Sequence, residues 1–79
     1  MKLQFFTKEE CPLCDEGLVP VKILAERYAL ELEVIDIYEQ EIYLEAYQLK
    51  IPVVVLDGQE LGFGRLSMPE LEERMKPML

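Results

Sequence analysis

The chain has 79 residues, about half of them hydrophobic, with sixteen acidic side chains against eight basic ones and a net charge of -8. That length allows one small hydrophobic core, expected as a single domain over residues 1–79, and the charge argues against nucleic acid or an anionic membrane surface as a partner. Ile51 to Leu56 falls far short of the roughly 20 apolar residues that cross a bilayer, and Met1 to Phe6 runs into Lys8, Glu9 and Glu10 without the apolar stretch of a secretory leader, so a cytoplasmic protein is expected.

Lys2 to Thr7, carrying Leu3, Phe5 and Phe6 without a helical period, predicts a first strand. Pro12 suits the first position of a helix, where its missing N–H would be unpaired anyway, so a helix is expected to start at the cysteines. Leu18, Val21, Ala25 and Tyr28, widened by Leu24, form its sheet-facing stripe. Gly17 and Pro20 interrupt that segment, and Pro20 predicts a kink. Leu32 to Ile37 reads as a second strand covered on both faces, parallel to the first because a helix crosses between them.

Asp36-Ile37-Tyr38-Glu39 offers a cap for a short second helix. Ile42, Ala46 and Leu49 mark its inner face, flanked by Tyr38, Tyr43 and Tyr47. Past Ile51-Pro52, Val53 to Leu56 is β-branched enough for a central strand. Asp57-Gly58 predicts a two-residue hairpin turn with Gln59 to Leu61 returning antiparallel, and Gly62-Phe63-Gly64 reads as a loop. Ser67-Met68-Pro69-Glu70 fits a capping box that opens a last helix with Leu71 and Met75 inward. The order βαβαββα predicts an α/β fold with a four-stranded mixed sheet and three flanking helices.

Cys11 and Cys14, the two cysteines of the chain, stand two residues apart at the predicted strand-to-helix junction, a context that points to redox chemistry. Unpaired N–H groups and the positive end of the helix dipole favour a thiolate at Cys11, the expected nucleophile, and Cys14 is placed to resolve a mixed disulfide formed there. Glu9, Glu10, Asp15 and Glu16 oppose that stabilisation while Lys8 supports it, so a comparatively reducing couple is expected. Half of a metal site, a structural staple and inert core thiols are the alternative readings. No further cysteine and no histidine is available to complete a metal site within the chain, and a staple across so short a loop removes little entropy from the unfolded state.

Lys8 three residues before Cys11, the Cys11-Pro12-Leu13-Cys14 motif, Ile51-Pro52 and the element order together resemble the glutaredoxins of the thioredoxin superfamily. The chain also resembles short bacterial glutaredoxin-like proteins with Cys-x-Leu-Cys-Asp-Glu, here Cys11 to Glu16, and a later Ile-Pro-Val and Asp-Gly, here Ile51 to Val53 and Asp57-Gly58. The resemblance implies a thioredoxin fold, a cis bond before Pro52, and backbone contacts from Ile51 to an extended thiol substrate or to glutathione. Pro12, Leu13 and Gly64 are expected beside that substrate, Lys8 is a candidate to attract a substrate carboxylate and Arg65 to supply an anion contact, and Leu13 and Phe63 are candidates for an apolar rim. Two departures stand out. Leu13 replaces the tyrosine usual inside the glutaredoxin motif, and Gly64-Arg65-Leu66-Ser67 lacks the second glycine and the aspartate that grip glutathione.

The expected activity is thiol–disulfide exchange on a disulfide-containing protein or on glutathione disulfide, with electrons from an external reductant for which glutathione is a candidate. No bound cofactor, no metal and a monomeric state are expected. The rival classes are a non-catalytic interaction or redox-sensing module and a metal or cluster site shared between two chains.

Overall fold

The computed structural model describes residues 1–79 and builds four strands and three helices in the expected order. Strand β1 (Lys2–Thr7) is followed by helix α1 (Pro12–Arg27), strand β2 (Glu31–Asp36), helix α2 (Glu41–Tyr47), strand β3 (Val53–Leu56), strand β4 (Gln59–Phe63) and helix α3 (Met68–Met75). The sheet order is β2-β1-β3-β4, with β1 and β2 parallel and the other two pairs antiparallel. No helix is long and apolar enough to cross a membrane.

Because side chains alternate along a strand, the central strands bury residues on both sides of the sheet. Leu3, Phe5, Val54, Leu56 and Leu61 join Val21, Leu24, Leu71 and Met75 in the larger cluster, which places α1 and α3 on one face. Phe6, Ile35, Ile37, Val53 and Val55 form the smaller cluster under Tyr43, Leu44 and Tyr47 of α2 on the other. Phe6 stacks in tilted geometry on both tyrosine rings, with centroids 5.1 and 4.6 Å away.

Several expectations need correction. The inner face of α2 is formed by Tyr43, Leu44 and Tyr47, whereas Ile42 is 66% exposed and Leu49, beyond the helix end, 96% exposed. Asp36 caps a separate 3₁₀ turn at Ile37–Glu39 by accepting from the Tyr38 N–H at 2.8 Å, and α2 starts at Glu41 behind Gln40, whose side chain makes no capping bond. β2 meets both core clusters, Leu32 packing on the larger and Ile35 lying in the smaller, but Val34 is left exposed, so the cover is incomplete at that position. Gly62 and Phe63 belong to β4 and not to a loop; a register shift between Val54 and Val55 lets β4 run two residues further than its pattern suggests. Ser67 sits at the N-terminus of α3 but its side chain makes no capping bond, so the box is not closed.

Candidate active site

The site lies where β1 ends, at the same end of the sheet as the start of β3 and the last residues of β4. Cys11 is the N-cap of α1 in extended conformation, Pro12 occupies the first turn, and Glu10 before it is left-handed at φ 53°. A non-glycine residue there is sterically disfavoured, so the entry into the motif is a constrained turn. The Cys14 N–H donates to Cys11 Sγ at 3.2 Å and the Asp15 N–H to the Cys11 carbonyl at 3.0 Å. The sulfur thus takes the role that a serine or aspartate oxygen plays at other helix starts.

Cys11 and Cys14 are joined as a disulfide, with their Cα atoms 5.2 Å apart. Cys14 is 1% exposed and faces the core from the buried side of α1, while Cys11 retains 9% and is the outer sulfur. Of the two, Cys11 is the one that solvent reaches.

The Ile51–Pro52 peptide bond is cis. Pro52 is fully buried and Ile51 half-buried between the two core clusters. Gly64, left-handed at φ 70°, donates its N–H to the carbonyls of Lys50 at 3.2 Å and Pro52 at 2.8 Å, so Gly64 is held against Pro52. Arg65 is exposed next to it. Leu13 packs on the larger cluster. Phe63 is exposed, with the Lys50 ammonium 4.8 Å from its ring centroid and the same ammonium paired with Glu60 at 3.0 Å.

Lys8 is not part of that group. It lines an open groove of about 460 Å³ with Glu9, Glu10, Asp36 and Tyr38, on the β2 side of the motif. Asp36 and Tyr38 were not singled out for the site by sequence, because they come to Glu9 and Glu10 only through the parallel pairing of β1 and β2. No set of three or more Cys, Asp or Glu side chains converges as a metal-binding group.

Gly17 is the other residue that sequence reading passed over, as a mere interruption of α1. It is buried one turn beyond Cys14 on the same helix face. A methyl group on its Cα would lie 3.3 Å from Pro52 Cγ and 3.0 Å from Leu66 Cδ1. The signal available in sequence was a glycine three residues after Cys14 in an otherwise helical segment; the partner it admits is set by tertiary structure.

Residues 2–76 match the family described as Glutaredoxin-like domain (DUF836). Among solved structures, thioredoxin 1 of the thermophilic eubacterium Thermosipho africanus is 24% identical with a TM-score of 0.73, over 99% of this chain and 93% of that one. Target protein XcR50 from X. campestris is 25% identical with a TM-score of 0.77, over 95% of this chain and 96% of that one. Reduced glutaredoxin of Escherichia coli is 22% identical with a TM-score of 0.60, over 98% of this chain and 95% of that one. At these identities the thioredoxin and the glutaredoxin establish a common fold.

Proposed function

The chain belongs to the glutaredoxin-like domain (DUF836) family, and from that premise we propose that it is a thiol–disulfide oxidoreductase acting on peptide or glutathione disulfides. The observation that carries the reading is the Cys11–Cys14 disulfide at the start of α1, with the outer sulfur on Cys11 and the inner one buried on Cys14.

In the dithiol state the Cys14 N–H and the start of α1 stabilise a thiolate on Cys11. That thiolate attacks one sulfur of the substrate disulfide, the S–S bond breaks, and the first substrate thiol leaves with a proton from solvent. Cys14, deprotonated, then attacks Cys11 Sγ in the mixed disulfide, which releases the second thiol and closes the Cys11–Cys14 disulfide. Two electrons have passed to the substrate. Two equivalents of an external thiol, for which glutathione is one candidate, return them: the first opens the Cys11–Cys14 disulfide to a mixed disulfide on Cys11, and the second releases the external disulfide and restores the dithiol. The extended substrate lies along Ile51, with Pro52, Gly64 and Arg65 on one side and Lys8 on the other, while Pro12 and Leu13 border the sulfur.

The test is a single-turnover reaction of the reduced, desalted protein with a peptide disulfide. One equivalent of disulfide consumed and two peptide thiols released per chain is the expected result, and Cys11→Ser abolishes it. No thiol release from the native chain would remove the reading in favour of a non-catalytic module.

A further inference from the structure

α1 carries glycine at a buried interior position, where alanine is the better helix former. The contacts at Gly17 give that choice a purpose. Pro52 Cγ lies 3.3 Å and Leu66 Cδ1 3.0 Å from the place a methyl would take. These two neighbours respond differently. Leu66 ends in a flexible side chain that can rotate away, whereas the Pro52 ring at the head of β3 is fixed in φ and yields at Cγ only within its ring pucker before its backbone must move. That backbone is bonded onward, because the Pro52 carbonyl accepts the Gly64 N–H at 2.8 Å.

From this packing we infer that Gly17 is a positioning residue: by presenting no side chain, it lets the Pro52 ring seat directly on the helix that holds Cys14 and so sets the spacing between the redox pair and the Ile51–Pro52–Gly64 edge. The inference rests on the proposed function, in which an extended peptide disulfide uses that edge. A small disulfide that reaches Cys11 without the edge does not depend on the spacing.

The experiment compares the reduced native chain, Gly17→Ala and Gly17→Ala/Leu66→Ala in single-turnover reactions with a peptide disulfide and with bis(2-hydroxyethyl) disulfide. Thermal unfolding is followed by circular dichroism in each. For Gly17→Ala the half-saturating peptide concentration rises about tenfold, the scale expected when binding geometry shifts by a fraction of an ångström. The second-order rate with the small disulfide stays within about twofold of native, since the sulfurs themselves are not displaced. Removing the Leu66 side chain relieves the tighter contact but leaves the one to Pro52, so the double variant keeps the peptide defect and also serves if the single variant folds poorly. Unchanged peptide half-saturation, equal losses with both disulfides, or restoration by Leu66→Ala each overturn the inference. A native chain that reduces neither disulfide overturns the proposed function and the inference with it.

Discussion

Ala29 closes α1 in the left-handed region at φ 54°, with the Leu30 N–H bonded to the Ala25 carbonyl at 2.8 Å and the Ala29 N–H to the Glu26 carbonyl at 3.3 Å. This is the Schellman pattern, usually completed by glycine because a Cβ is disfavoured there. Ala29→Gly relieves that contact but adds freedom to the unfolded chain, so a net gain of about 0.5 kcal/mol is expected in urea unfolding. A loss of stability would contradict the cap. The cysteines show how far single residues were legible: their spacing and Pro12 marked the helix start, and Cys11 does cap it. The left-handed Glu10 was not legible, because nothing local to a glutamate announces a positive φ.

Between elements, Glu72 of α3 ties down the end of α1. Its carboxylate accepts from the Tyr28 hydroxyl at 2.5 Å and from Arg27 at 2.9 Å. Accepting the Tyr28 hydrogen bond, then that of Arg27, lowers the pKa of Glu72, and donating to Glu72 raises that of Tyr28. A lowered carboxyl contributes stability that is complete above its unfolded value of about 4.3 and is lost as pH falls through the folded one. A raised phenol contributes stability that is complete below about 10 and is lost as pH climbs through the folded value. Glu72→Gln should therefore melt below the native chain at neutral pH, and the gap should close on acidification below about pH 4. A gap independent of pH would show that the pair is not the source. On the other sheet face, Tyr47→Ala removes a ring stacked on Phe6 and should cost about 1–3 kcal/mol, while Leu49→Lys, at an exposed position, should stay within about 0.5 kcal/mol. The reverse ranking is what the spacing of Ile42, Ala46 and Leu49 predicts, and it fails for a physical reason. α2 has only seven residues, too few for a period to choose between two apolar stripes, and the rings of Tyr43 and Tyr47 find Phe6 from the sheet. The strands were more legible, since β1 has the predicted span and Asp57-Gly58 makes the turn with both residues at positive φ. The extra length of β4 was hidden by Gly62, whose place opposite Val54 depends on the register shift.

At the scale of the whole molecule, the excess of eight negative charges and the groove where Glu9, Glu10 and Asp36 outnumber Lys8 set a negative field beside the motif, which under the proposed function acts on a peptide disulfide as it approaches. A peptide disulfide flanked by lysine should react about tenfold faster than its glutamate-flanked counterpart at low salt. The difference should largely vanish at 1 M salt, where screening acts within about 3 Å. Equal rates at low salt would mean that the field does not reach the reacting sulfur. The proposed function turns on the outer sulfur of the pair taking the substrate. It is tested most directly by mass spectrometry of the reduced Cys14→Ser and Cys11→Ser variants after exposure to a peptide disulfide. Cys14→Ser is expected to trap one peptide on Cys11, and Cys11→Ser to trap almost none on the buried Cys14. An unmodified Cys14→Ser chain, or equal capture by both variants, would contradict the account.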